Sequence, residues 1–375
     1  MTKALPSSKQ PGFGFSDAIQ MRHMPALDGF RAVAAFSVVL AHGYDLTIFD
    51  GVTGFFVLSG FLITTLLLRE QQSTGTVSLR AFYARRTLRI FPAYYAFVTA
   101  SYVIDRVAGN AWPAGLAPSA VGYVVNYFNA FNGHPSTSIA HLWSLGVEEQ
   151  FYLLWPTVFV AFSRYGVRAV QKGLFALIAL GVVSRFVLYF GGFVGQAYLY
   201  NTFDARFDNL AIGCLLATFT VSSHAERFAA RVAAYPWTPL VTVAFMTLVT
   251  YGMSSTARHL VGFTIYAALV AILIVQLLHL SRSRLWRWLD SPPARFLGTI
   301  SYPIYLYHGW GLGLGNWLTG WPKLLQFLAG VVFTIGGAVG SYYIVERPFL
   351  AIKKRFAPER RQRVPSPAVQ QASEA

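Results

Sequence analysis

Charge is what this chain has least of. Only 12% of its 375 residues are Asp, Glu, Lys or Arg, and 55% are hydrophobic. Soluble domains carry about 25% charged residues, so an ordinary soluble domain is excluded. A mean hydropathy of +0.47 makes the chain an integral membrane protein. Acidic residues are scarcer than basic ones, 15 against 30, which leaves a formal net charge of +15. Such an excess can mark a nucleic-acid binder. Here the basic residues sit in short loops between apolar stretches, a positive-inside pattern that requires no polynucleotide. The single cysteine, Cys214, excludes an internal disulfide and a cysteine-rich metal site, and in its apolar run it reads as packing. His134, His224, His259 and His279 are not at metal-ligand spacing, so no metal is expected. There is no clear internal repeat to support inverted-repeat transporter architecture. The N-terminus has Lys3, Lys9 and Arg22 but no short apolar region followed by a cleavage site, so no removable signal peptide is expected.

What is abundant is apolar and aromatic. Stretches near or above ~18 apolar residues recur from end to end, which points to helical spans rather than a barrel. The 31 Phe, 20 Tyr and 9 Trp suit interfacial belts and packed helix faces. The expected architecture is all-α and polytopic, with about ten transmembrane helices and both termini cytoplasmic. Residues 1–25 form a cytoplasmic tail, 26–350 the membrane domain, and 351–375 a basic tail disordered at its end. The spans are read at about 26–48, 52–68, 91–108, 141–163, 173–193, 206–222, 237–253, 260–280, 296–319 and 323–346. The stretch SLRAFYARRTLRIF reads as an amphipathic helix on the inner surface, ended by Pro92. The piece VGYVVNYF is too short to cross and is read as re-entrant or interfacial. Arg258 falls on an outer loop, the main exception to the charge rule.

Polar residues inside such spans are costly and mark function by default. Arg31 and His42 lie eleven residues apart in one span. On a helix that offset is ~20° past three turns and ~16 Å along the axis, so both project from one stripe. The next span brings Gly54, Ser59 and Gly60, whose small size lets a helix or a ligand approach closely. In HLWSLGVEEQFY, His141, Ser144, Glu148 and Tyr152 share a face, and Glu148 and Glu149 sit at a depth similar to His42. His308 lies near the middle of its span. A neutral histidine held by a carboxylate is a usual general base toward a hydroxyl, although a lone buried histidine is as readily a packed residue. Arg85, Arg86 and Arg89 suit either lipid headgroups or phosphates held in bidentate fashion. Arg206 and Asp208 could pair with each other, and Glu346 with Arg347 reads as a cap closing the last span.

Taken in order, five motifs resemble the acyltransferase family 3 membrane proteins, bacterial O-acyltransferases of surface polysaccharides. They are Arg31 with His42, FFVLSGF at 55–61, RRTLR at 85–89, WSLGVEEQFY at 143–152 and SYPIYLYH at 301–308, and the likeness covers about 24–350. The resemblance implies ten core spans and an acyl-CoA donor, most often acetyl-CoA, bound from the cytoplasm with Arg86 and Arg89 on its phosphates. It also implies that His42 is essential, supported by Arg31 and Glu149 or Glu148. Many relatives carry a further hydrolase-like domain outside the membrane. The chain ends ~25 residues after its last expected span, which favours direct transfer to an acceptor at the membrane.

The resulting expectation is a multi-pass enzyme of the bacterial inner membrane. It moves an acyl group to a sugar hydroxyl of a surface polysaccharide or its lipid-linked precursor. His42 acts as base or acyl carrier, Glu149 or Glu148 orients it, and Arg31 supports it. Arg85, Arg86, Arg89, Ser59 and Gly60 bind the donor. His308, Trp143, Ser144, Tyr152, Arg206 and Asp208 are candidates for the acceptor. The bilayer, acyl-CoA and the glycan are the expected partners, nucleic acid is not, and homo-oligomerisation is left open. Two other classes stay in view: transfer to a small lipophilic acceptor such as a macrolide, and transport of an anionic lipid-linked sugar.

Overall fold

The computed structural model describes residues 14–21 and 24–356. The tail readings on 1–13, 22–23 and 357–375 lie outside the described residues. Among the described residues every regular element is helical. In chain order these include α1 (Phe15–Gln20), α2 (Pro25–Tyr44), α3 (Gly51–Thr74), α4 (Leu79–Val107), α5 (Leu116–Val121), α6 (Val125–Asn132), α7 (Trp143–Ser163) and α8 (Val167–Phe190). They continue with α9 (Gln196–Asn201), α10 (Phe203–Phe219), α11 (Ala225–Val232), α12 (Thr238–Gly252), α13 (Ser255–His279), α14 (Pro292–Thr299), α15 (Ser301–Asn316) and α16 (Lys323–Lys353). Of these, α2, α3, α8, α13 and α16 are long and apolar enough to cross a membrane. The other expected spans fall on helices that are more charged, shorter or broken.

The termini of α2 and α3 follow directly from local sequence. Pro25 opens α2 at a position where its missing N–H costs nothing, and Asp45 closes it in the left-handed conformation at φ 54°. Five residues later the Asp50 carboxylate caps α3, accepting from the Val52 and Thr53 N–H groups at 3.1 and 3.2 Å. The two helices thus form a tight antiparallel pair. Against α3 the helix α10 packs backbone to backbone. A Cβ on Gly60 would fall 1.9 Å from the Leu210 carbonyl oxygen, and one on Gly213 would fall 2.0 Å from that of Val57. Gly60 is therefore spent on a helix contact, and the expectation that it admits a ligand is corrected.

Prolines mislead in two places. The helix expected to end at Pro92 does not: α4 runs unbroken for 29 residues, so the arginine-rich half and the following span form one rod. Its inner face is fully packed, with Tyr94 and Phe97 at 0% exposure, and the Tyr302 hydroxyl donates to the Ile90 carbonyl at 3.2 Å. Tertiary packing outweighs the local cost of the missing hydrogen bond. Likewise Glu346 and Arg347 do not close the last span. The helix continues past Pro348 to Lys353, with a wider π turn at Tyr342–Glu346 shifting its hydrogen-bond register just before the proline.

The expected span at 296–319 is instead two helices, α14 and α15, parted at Ile300, with Ser291 capping α14 through the Ala294 N–H. The piece read as too short to cross forms the separate short helices α5 and α6, with Tyr123 between them at φ 55°.

Candidate active site

A cavity opens where α2, α3, α4, α7 and α15 meet. Three guanidiniums reach it: Arg31 from α2, and Arg86 and Arg89 from α4, whose spacing of three residues aligns them on one face. Ser59 comes from α3, Ser144, Glu148 and Glu149 from α7, and Tyr302 and Tyr305 from α15. The charges are unevenly matched. Arg31 lies 3.3 Å from the Asp28 carboxylate. Arg86 lies 3.5 Å from Glu148 and 3.8 Å from Glu149, and its guanidinium stacks 3.4 Å over the centroid of the Tyr152 ring. Arg89 forms no salt bridge among the described residues.

Glu148 is the better held of the two carboxylates, accepting from the Ser59 and Tyr152 hydroxyls. Glu149 Oε1 and Arg86 Nε are buried without a hydrogen-bond partner among the described residues. Among the described residues neither carboxylate is hydrogen-bonded to a histidine. That corrects the expectation that Glu149 or Glu148 orients His42. Equal depth in the membrane does not set direction, and both carboxylates turn toward Arg86.

The histidines gather elsewhere. His42 ends α2, exposed, at the opposite end of the helix from Arg31. Its ring lies 4.8 Å from that of His308, which is 2% exposed, and His308 lies 4.7 Å from His141. His42 Nδ1 is 2.9 Å from the Val38 carbonyl, and His308 Nδ1 is 2.7 Å from the Tyr305 carbonyl. A carbonyl only accepts, so Nδ1 carries a proton in both rings, and in the neutral form of each ring the lone pair is on Nε2.

Between cavity and histidines stands a pair of hydroxyls. Ser144 Oγ and Tyr305 OH are 2.5 Å apart, and Tyr305 donates to the His141 carbonyl at 2.9 Å. The Tyr305 ring is 5.6 Å from His308 on one side and lines the cavity on the other. Neither Tyr302 nor Tyr305 was singled out from the sequence, although they stand three residues apart in the same motif as His308.

The remaining candidates are not in the cavity lining. Arg85 pairs with Glu70 at 2.8 Å and donates to the Phe356 carbonyl at 2.7 Å, so it does not line the cavity with Arg86 and Arg89. Arg85 is only about 40° from Arg89 around α4, so it is the Glu70 carboxylate and the Phe356 carbonyl, not its angle on the helix, that hold it away. Trp143 is buried against Phe56 and Tyr200.

Arg206 and Asp208 do not pair, since two residues on a helix face nearly opposite ways. Arg206 lies 3.6 Å over the Phe263 ring and bonds Asn209 and Thr53 at 3.0 Å. Asp208 receives both ends of Arg185, each at 3.0 Å. Arg185 was missed from the sequence, although an arginine inside the apolar run of α8 is itself a signal. It also donates to the Ala205 and Leu260 carbonyls and to Thr264, and the Arg185–Asp208 pair is wholly buried. Leu260 lies in the π turn Arg258–Gly262, whose altered ladder accompanies this bond.

Comparison with known proteins accords with the five motifs. A family model described as an acyltransferase domain matches residues 24–343. The chain is 30% identical to the peptidoglycan O-acetyltransferase OatA of Listeria monocytogenes over 308 residues, covering 76% of this chain and 49% of that protein. It is 29% identical over 362 residues to a Staphylococcus aureus protein with a provisional O-acetyltransferase name, covering 90% of this chain and 59% of the relative. A Bacillus subtilis protein provisionally named a peptidoglycan O-acetyltransferase is 33% identical over 353 residues, covering 87% and 55%. The chain thus spans roughly half the length of the relatives it matches. No solved structure matches it. The match runs through all five helices that build the cavity, and the chain belongs to the acyltransferase family 3 of membrane proteins.

Proposed function

We propose that this protein is a multi-pass O-acetyltransferase of the bacterial inner membrane. It takes an acetyl group from cytoplasmic acetyl-CoA and delivers it to a sugar hydroxyl of a surface polysaccharide or its lipid-linked precursor. The observation that carries this reading is the division of labour along α2. One end presents Arg31 to a cavity with two further arginines, and the other presents an exposed imidazole with an open Nε2. A donor with charged phosphates at one end of a flexible arm and a thioester at the other suits a site divided this way. The names of the relatives support an acetyl group and a cell-wall glycan as acceptor.

In this reading Arg89, Arg86 and Arg31 hold the phosphates. The donor arm passes Ser59 and the Ser144–Tyr305 pair toward the histidines. His42 Nε2 takes the acceptor's proton as its oxygen attacks the thioester carbonyl, and the thiolate leaves with coenzyme A. The Val38 carbonyl, not a carboxylate, fixes the tautomer. Ten crossings with both termini inside place the arginine end of α2 in the cytoplasmic half and His42 toward the outer face. That topology rests on the basic loops, with α5 and α6 as a re-entrant pair.

The test is acetyl transfer by purified protein from labelled acetyl-CoA to a lipid-linked glycan extract, wild type beside His42→Ala. Transfer is expected to fall by at least about 100-fold while coenzyme A still binds. Equal transfer by the two proteins would remove His42 from the chemistry.

A further inference from the structure

Taking the cavity as the acyl-CoA site proposed above, a count of its charges shows where a polyanion would bind. Arg31 is matched by Asp28, Arg85 by Glu70, and Arg86 by Glu148 and Glu149. Arg89 makes no such ion pair among the described residues; the carboxylate that acts on it is Glu346, seven residues before Lys353 on the same helix, which does not come within ion-pair distance. Beside it lies a cation from an unexpected part of the chain. The last helix runs ten residues past the end of the family match at 343, and α16 ends at Lys353.

This extension packs along α4, and it is fastened there by Arg85, which donates to the Phe356 carbonyl at 2.7 Å. The half-buried Lys353 ammonium lies in the field of Arg89, Arg86, Arg85 and Arg31, with Arg89 the strongest. It forms no ion pair among the described residues. A cation held close to four others gains nothing from the protein and most from an anion that bridges it to Arg89.

We propose that Lys353 is a phosphate-binding residue of the donor site, and that it acts with Arg89 on the phosphates of coenzyme A. Arg85 then has an indirect part. It fixes the turn at Phe356 and so positions Lys353, instead of touching the ligand itself. The donor site on this account includes a segment outside the matched domain.

The experiment is calorimetric titration of coenzyme A into the full chain in phosphatidylcholine nanodiscs, for wild type, Lys353→Met, Lys353→Arg and Arg85→Met. Melting curves check each fold. Lys353→Met should weaken binding about tenfold, the loss of one charge-assisted contact. Lys353→Arg should stay within about threefold of wild type, and Arg85→Met should fall between the two. Wild-type affinity in Lys353→Met would overturn the proposal and leave Lys353 to the phosphates of lipid headgroups. If the wild type binds no coenzyme A, the donor reading itself fails and this inference falls with it. The two failures are distinct.

Discussion

Two arginine sites in this protein sit only a few helices apart and are built on opposite principles. At Arg185 every donor finds an acceptor: both Asp208 oxygens, two backbone carbonyls and a threonine hydroxyl, at 0% exposure. At the cavity the accounts stay open. Arg86 Nε and Glu149 Oε1 lack hydrogen-bond partners, the Arg86 contacts are 3.5 and 3.8 Å, and Arg89 makes no ion pair among the described residues. Both sites pay the desolvation cost of charge inside an apolar protein. Only the first recovers it within the fold. Burial of charge therefore does not by itself distinguish a strut from a site, whereas the completeness of its bonding does.

The comparison can be broken by mutation. The largest effect is expected at Asp208→Asn, which leaves the Arg185 charge buried and uncompensated and should cost about 3–5 kcal/mol, read as a lowered melting temperature. Replacing both partners, Arg185→Met with Asp208→Leu, should recover most of that loss. A double variant no more stable than the single one would show that the pair is not self-contained. Glu149→Gln should be far milder than Asp208→Asn by the same melting assay, because its contact to Arg86 is long and Arg86 keeps Glu148 as its counter-ion. A loss as large as that at Asp208 would erase the distinction.

The smallest effect lies outside the spans. Glu226 on α11 accepts from the Phe15 and Ser16 N–H groups and the Ser16 hydroxyl, strapping α1 to the body. Partial burial pushes its carboxyl up, but those hydrogen bonds outweigh it and hold it below the usual range. A carboxyl lowered in the folded state adds stability above its unfolded value, and that stability is lost as pH falls through the folded one. Amide exchange at Phe15 and Ser16 should therefore speed up only below the ordinary carboxylate range, and should be fast at neutral pH in Glu226→Gln. Exchange in wild type that is indifferent to acid would remove Glu226 as the strap.

The order of helices was legible because apolar runs and basic loops are one-dimensional signals. Arg31 and His42 were placed on one helix, at its two ends, because spacing along a helix fixes direction and rise. What spacing cannot fix is the partner across the gap. Glu148 and Glu149 were given to His42 on depth, yet they face Arg86. Arg85 was grouped with its neighbours, yet it reaches Glu70 and Phe356. Pro92 and Pro348 were read as terminators because local rules see the missing N–H and not the surrounding helices that hold the rod straight. Arg185 was overlooked for a simpler reason. It stands alone in its run, and its counter-ion comes 23 residues later on another helix.

The bare glycine contacts have a mechanical meaning. At Gly60 and Gly213 the backbones of α3 and α10 touch with no side chain between them, and Gly311 and Gly315 bring the backbones of α15 and α16 almost as close, with Cβ positions 2.6 Å from the Thr334 backbone nitrogen and 2.3 Å from the Gln326 carbonyl. Interfaces of that kind have no rotamers to adjust, so each helix pair moves as one body. Ser59 belongs to the first body and Tyr302 and Tyr305 to the second, with the cavity between them.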